Sequence, residues 1–252
     1  MSVLVVTGSS RGIGAEICRQ AAVEGWSVCV NYASSSQQAE KLVNEINQLG
    51  GNAISAKADV SDEAEVRSLF EQVDEQLGPT TGLVNCAGIN GCGSRVDEMD
   101  SEKSKRLFEV HILGSFIGAK YAIHRMAKRH GGSGGAIVNI SSAASKHGGP
   151  FTYVDYAASK AAIDTFTIGL AREQADQGIR VNCIRPGITL TEISKNFATE
   201  NPEWLDWVMK QVPLGRPAEV NEIANSVMYM LSSKSSYATG SILDVSGGWV
   251  SP

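Results

Sequence analysis

Tyr156 stands four residues before Lys160 in the stretch VDYAASKAA, residues 154–162. At 3.6 residues per helical turn the two side chains lie about 40° apart around the axis, so a phenol and an ammonium share one face. A free phenol, with a pKa of ~10, is a poor proton exchanger at neutral pH. A cation beside it favours the phenolate and makes the pair suited to acid/base work on an alkoxide or alcohol. Hydride transfer to a carbonyl needs such a proton. The same spacing also occurs on ordinary helices as a packed ring and a snorkelling amine, so the pair gains meaning only from what accompanies it.

Two further constellations accompany it. In TGSSRGIG, residues 7–14, Gly8, Gly12 and Gly14 surround Ser10, Arg11 and Ile13 in the spacing G-x-x-x-G-x-G. Such a turn from strand to helix lets backbone amides and the positive helix end meet a pyrophosphate. An NAD site offers a carboxylate to the adenosine ribose, but VNYASSS, residues 30–36, holds no acid. A 2′-phosphate would meet no repulsion there, and Arg11, Asn31 and Ser34 could supply donors. NADP is therefore expected in preference to NAD. The other constellation is NISS, residues 139–142, where Ser142 is the candidate donor to a substrate oxygen and Ser141 its competitor. Adjacent residues of a strand point to opposite faces, so only one of them can serve. Ser145 is read as a capping or substrate-contacting hydroxyl.

These residues need elements to position them. Apolar, largely β-branched runs cover residues 3–8, 27–32, 52–60, 81–88, 135–142, 179–187 and 241–248. Several are apolar almost throughout, as strands covered on both faces should be. Helical periodicity fills the gaps; Leu107, Val110, Gly114, Ile117 and Tyr121 form one stripe. Seven strands alternating with helices predict an α/β, single-domain Rossmann fold: a doubly wound seven-stranded parallel sheet with helices on both faces, over residues 1–252. Ligands bind such sheets beyond the carboxyl ends of the strands, where the motifs above fall.

Composition excludes other classes. The chain of 252 residues is 42% hydrophobic and 19% charged, and carries 22 basic against 27 acidic residues for a net charge of -5. That balance offers no footprint for nucleic acid or for an anionic membrane, and a small soluble partner is expected. No run approaches a membrane span or a secretory signal, so a cytoplasmic location is expected. Five cysteines, without C-x-x-C, read as reduced or packed thiols, and four histidines, without H-E-x-x-H, give no metal site.

TGSSRGIG, NCAG (85–88), NISS, YAASK (156–160) and RPG (185–187), in that order, with YATGSILDVSGG near the end, resemble the short-chain dehydrogenase/reductase family over essentially the whole chain. The resemblance implies a nicotinamide cofactor and a Ser142, Tyr156, Lys160 catalytic set, with Lys160 also on the nicotinamide ribose. The family's serine stands thirteen residues before its tyrosine; Ser142 stands fourteen before Tyr156. Asp59 and Val60 resemble the adenine contact, and Asn85, Ala87 and Gly88 the turn past strand four, with Cys86 as a packed thiol. Pro186, Gly187, Ile188 and Thr189 would bind the carboxamide. Where the family has an asparagine, this chain has His111. Its main-chain carbonyl would hold a relay water while the ring packs, or its imidazole would enter the proton path.

The resemblance is nearest to 3-oxoacyl-carrier-protein reductases and glucose 1-dehydrogenases. A carrier protein would dock on basic residues, of which Arg129 is present while Gln177 replaces an arginine of such relatives. A small carbonyl, alcohol or sugar is the preferred substrate; the alternatives are a 3-oxoacyl-carrier-protein reductase and a catalytically silent NADP-binding regulator. Phe197, Trp204 and Trp207 suggest a helical lid over the pocket. A homotetramer is implied, with Gly114 and Gly118 allowing close approach across one interface and strand seven with Trp249 across another.

Overall fold

The computed structural model describes residues 2–191 and 202–250. Strands β1 (Val3–Val6), β2 (Ser27–Tyr32), β3 (Asn52–Lys57), β4 (Gly82–Asn85), β5 (Gly135–Ile140), β6 (Ile179–Pro186) and β7 (Ile242–Val245) form one sheet in the order β3-β2-β1-β4-β5-β6-β7. Every pairing is parallel. The order reverses between β1 and β4, which opens a crevice at their carboxyl ends. The apolar runs extend past several strands: β1 stops at Val6, β4 at Asn85 and β5 at Ile140. The residues beyond those points leave the ladder and turn into the crevice.

Helices α1 (Gly12–Val23), α2 (Ser36–Gln48), α3 (Glu63–Gln76), α4 (Ser101–Phe108), α5 (Gly114–Met126), α6 (Ala144–His147), α7 (Val154–Gln174), α8 (Pro202–Gln211) and α9 (Val220–Leu231) surround the sheet. Alternation along β1 sends Leu4 and Val6 into a core shared with α1, α2 and α9, and Val3 and Val5 into one shared with α3, α5 and α7. Burial of both faces is what a crossover-connected parallel sheet demands. Capping is local: the Asp62 carboxylate accepts from the amides of Ala64 and Glu65 and opens α3. The alanines of α7 favour helix, and a 3₁₀ turn, Ala175–Gln177, continues it to Gly178 at φ 76°.

Between α4 and α5 the chain makes a π-helical turn, Glu109–Leu113, with His111 at its centre. The predicted stripe survives it: Leu107, Val110, Gly114 and Ile117 are buried and Tyr121 half-buried. Gly114 faces the loop after β3 and Gly118 the end of β4. A methyl on Gly114 would come within 2.7 Å of Val60 Cγ2, and one on Gly118 within 2.8 Å of Asn85 Oδ1. The two glycines therefore serve packing within the chain. Trp249 packs against His147 at 4.8 Å between ring centres, and the Lys146 ammonium lies on the Val250 carbonyl.

Candidate active site

The β1–α1 turn is fixed by its neighbours. Gly8 adopts φ +62°, and a Cβ there would lie 2.6 Å from Ala87 Cα, so only glycine lets this turn lie against the turn after β4. The Thr7 hydroxyl oxygen accepts from the amides of Cys86 and Ala87, at 3.0 and 3.1 Å. Helix α1 then begins with no side-chain cap and no acidic residue in its first turn. Its first amides and dipole face a cleft of about 330 Å³, which suits the pyrophosphate of a dinucleotide.

That cleft brings together Gly8, Ser10, Arg11, Gly12, Ile13 and Gly14 from the first turn, Asn31 and Ser34 from the second, Asp59 and Val60 from the third, and Ala87 and Gly88 from the fourth. Arg106 and Thr191 also line it and escaped the sequence reading. Arg106 pairs with Asp59 from 47 positions away, a contact no local spacing announces. Burial would raise the Asp59 carboxyl, but hydrogen bonds from Ser61 and the Arg106 guanidinium outweigh it and hold the group below its ordinary range. The carboxylate at the expected adenine end is thus ionised and already paired.

Asn31 differs from its expected role. It is buried, its Oδ1 accepts from the Gly8 amide at 2.9 Å, and its Nδ2 donates to the carbonyls of Ala56 and Ala58. All three polar positions of the side chain are engaged in holding the glycine turn to β2 and β3. Arg11 and Ser34, both exposed, retain the freedom to meet a phosphate.

At the end of β5 the two serines separate. Ser141 is buried and its hydroxyl donates to the Lys160 carbonyl at 3.0 Å. Ser142 is half-buried, and its Oγ accepts from the Ala144 amide at 3.1 Å, which leaves its own proton available for an outside acceptor. Lys160 is 6% exposed; its Nζ donates to the Ile140 carbonyl at 2.9 Å and lies 5.7 Å from the centre of the Tyr156 ring. The phenol is half-exposed. Near this ammonium, burial pushes the Cys86 thiol up to about 11, so it is inert.

His111 is 1% exposed and hydrogen-bonded at both ring nitrogens. Its Nε2 lies 2.9 Å from the Ile89 amide, which can only donate, so Nε2 carries no proton. The proton of the neutral ring is therefore on Nδ1, which donates to Ser159 Oγ at 2.8 Å; that hydroxyl passes its own proton to the Tyr156 carbonyl at 2.7 Å. Burial, then the charge of Lys160, push the imidazole down to about 2. This is the geometry of a neutral, packed ring, while the His111 carbonyl accepts from the Ser115 hydroxyl at 2.7 Å.

Other expected residues lie elsewhere. Asn85 is buried, and its amide nitrogen donates to Ser115 O and Asn139 Oδ1 beneath the cleft. Pro186 closes β6, and Gly187, Ile188 and Thr189 follow it; all four stand outside the cleft's lining. Gly187 is bonded to the Val245 carbonyl, Ile188 O accepts from Ala218, and the Thr189 hydroxyl donates to Gly187 O. Ser145 Oγ is buried with no partner among the described residues. Gln177 accepts from the Arg129 amide at 2.9 Å. Phe197 lies outside the described residues; Trp204 and Trp207 fall on α8, their side chains likewise outside. Among the described residues no cluster could hold a metal, and no helix is long and apolar enough to cross a membrane. The cysteines are free thiols.

Residues 8–250 match the family described as enoyl-(acyl carrier protein) reductase. The chain is 44% identical over 248 residues to the uncharacterized oxidoreductase YgfF of Escherichia coli K12, across 98% of this chain and all of that one. It is 37% identical over 244 residues to glucose 1-dehydrogenase 2 of Bacillus subtilis 168, across 97% and 93% of the two chains. A gluconate 5-dehydrogenase from Burkholderia cenocepacia J2315, solved in complex with NADP and tartrate, superposes with a TM-score of 0.92 at 29% identity, over 100% of this chain and 96% of that one. With its parallel sheet, its glycine turn and its Ser142, Tyr156 and Lys160 at the carboxyl ends of the strands, the chain belongs to the short-chain dehydrogenase/reductase family, oxidoreductases acting on CH–OH and carbonyl groups.

Proposed function

We propose that the protein is an NADP-dependent reductase or dehydrogenase of a small carbonyl, alcohol or sugar, with Tyr156 as its acid/base. The observation that carries this is the buried Lys160 ammonium beside the half-exposed Tyr156 ring, next to a serine whose proton is uncommitted. The gluconate dehydrogenase solved with NADP and the relative named as a glucose dehydrogenase favour a polyol or sugar. Against a carrier-protein substrate stands Gln177, bound to the Arg129 backbone where such relatives have an arginine. A silent regulator would have no need of an intact serine, tyrosine and lysine.

A bound reduced nicotinamide would supply the hydride. The chain's own residues do the rest. Ser142 would donate its hydroxyl proton in a hydrogen bond to the substrate oxygen and hold it, which polarises the carbonyl. Tyr156 Oη would deliver the proton that quenches the developing alkoxide. Lys160, desolvated and close, would stabilise the phenolate left behind and position the ribose hydroxyls. The α1 amides would hold the pyrophosphate, and Arg11 with Ser34 the 2′-phosphate.

NADPH is accordingly expected to bind at least about tenfold more tightly than NADH, a difference of ~1.4 kcal/mol. Fluorescence titration at matched salt checks this, and Arg11→Ala should erase much of the preference. Equal or reversed affinities would refute the cofactor assignment.

The assembly expected is a homotetramer. Phe108, Leu113 and Phe116 are 37%, 48% and 49% exposed along α4, the π-helical turn and α5, and Phe116 stacks on Phe166 of α7 at 3.9 Å. An apolar strip of this kind calls for a covering surface, and a second copy of α4, α5 and α7 supplies one of matching character. Light scattering at micromolar concentration should return four times the mass of 26.7 kDa; a monomer mass would contradict it.

A further inference from the structure

The chain between β4 and α4 lines the cleft with its first residues, Cys86 to Ile89, and then passes over the start of α7. One side chain ties it there. Asp155, the residue before Tyr156, sits in the first turn of α7 and accepts three hydrogen bonds from three segments. Its Oδ1 takes the Tyr156 amide at 2.8 Å; its Oδ2 takes the Cys92 amide at 2.9 Å and the Ser104 hydroxyl at 3.1 Å. The donors belong to the catalytic helix, to the loop after β4 and to α4.

Gly91 makes the approach possible. A Cβ there would lie 2.6 Å from Asp155 Oδ1 and 3.2 Å from Tyr156 Cβ, so the loop rests directly on the carboxylate and on the base of the tyrosine. The Ser104 hydroxyl has three neighbours: Asp155 Oδ2 and Cys92 Sγ, both at 3.1 Å, and Met99 Sδ at 3.9 Å. Its proton goes to the carboxylate, the stronger acceptor. The Cys92 thiol, 3.2 Å from the Asp100 carbonyl, finishes the join. A carboxylate in a first helical turn is also favoured by the helix dipole.

We infer that Asp155 is a positioning residue that clamps the loop after β4 against the catalytic helix and thereby sets the distance between the substrate-facing wall and the Tyr156 hydroxyl. The inference rests on the reaction proposed above for its consequence in turnover, and on geometry alone for the clamp. Burial acts to raise the Asp155 carboxyl, but the bonds from Cys92, Tyr156 and Ser104 prevail and hold it below the usual carboxylate range. The clamp therefore stays charged throughout the neutral range.

Asp155→Asn keeps the shape but leaves one oxygen where the donors use two, so whichever way the amide turns an N–H donor faces an NH₂ group and the clamp weakens. The Cys92 amide is then expected to exchange with deuterium at least about tenfold faster. KM for the carbonyl substrate should rise by about tenfold, with kcat changed much less and NADPH affinity within about twofold. A merely structural contribution would lower the melting temperature and the active fraction without moving KM. Gly91→Ala, which wedges the same contact from the loop side, should reproduce the rise in KM, and Ser104→Ala should give a smaller one. These two carry the test if Asp155→Asn does not fold. Exchange at Cys92 needs no turnover: faster exchange in a protein that reduces no compound would sustain the clamp and sink the proposed chemistry. Wild-type exchange and wild-type KM in folded Asp155→Asn and Gly91→Ala proteins would overturn the clamp.

Discussion

Tyr156→Phe is expected to lower kcat by roughly 10²–10⁴-fold, the range over which positioned proton donors act. The substitution removes one oxygen and its proton and leaves the ring. The ring's contacts, with Lys160 Nζ 5.7 Å from its centre and the His111 ring edge-on at 5.5 Å, involve the aromatic face and edge and so persist. NADPH affinity should stay within about twofold, because the glycine turn and α1 that would carry most of the phosphate contact lie apart from the phenol. Steady-state turnover on a responsive substrate, beside cofactor titration of the same sample, separates the two effects. A Tyr156→Phe protein that turns over within about tenfold of wild type would show that another group supplies the proton.

The second large effect is on stability in acid and comes from His111. An unfolded histidine titrates at ~6.5, whereas in the fold burial and the Lys160 charge hold the imidazole unprotonated down to about 2. Below pH ~6.5 the unfolded chain therefore takes a proton that the folded chain refuses. Stability from this site is complete above that pH and falls as the pH drops toward the folded value, by up to ~1.4 kcal/mol per unit. Between pH 6.5 and 4.5 the wild type should lose roughly 2 to 3 kcal/mol that His111→Asn does not lose. Denaturant midpoints of both proteins at the two pH values give the difference directly, since the carboxylates common to both cancel. Equal acid slopes would mean that the imidazole accepts a proton in place. His111→Asn should also keep substantial activity, because the main-chain carbonyl of residue 111 remains, and its pH profile should match that of the wild type.

The sheet and its crevice are legible because their signal is local: short β-branched runs apolar almost throughout, helical periodicity between them and glycines where the chain turns. The strand ends were overread for one reason. Residues such as Ser141 and Ser142 continue the apolar run in sequence while already leaving the ladder in space. Asn31 shows the limit of reading polar type as function: a short amide at a strand end looks like a phosphate donor, but at 1% exposure its hydrogen bonds belong to the neighbouring backbone. Arg106 and Asp155 were missed because their partners lie 47 and 63 positions away. No periodicity marks such pairs. Gly114 and Gly118 suggest close helix approach in sequence, and in the fold the same absence of side chain serves Val60 and Asn85 within the chain.

The central claim is that this site moves a hydride to a carbonyl and that Tyr156 supplies the matching proton. It is tested most directly by incubating the protein with NADPH deuterated at the transferring carbon and a panel of ketones, aldoses and acyl thioesters, with the products read by mass spectrometry. The account predicts at least one compound that gains a single deuterium at the carbinol carbon, one for each NADPH consumed, and near-complete loss of that product with Tyr156→Phe. NADPH bound tightly with no deuterium delivered to any compound would contradict it and leave a nucleotide-binding protein without catalysis.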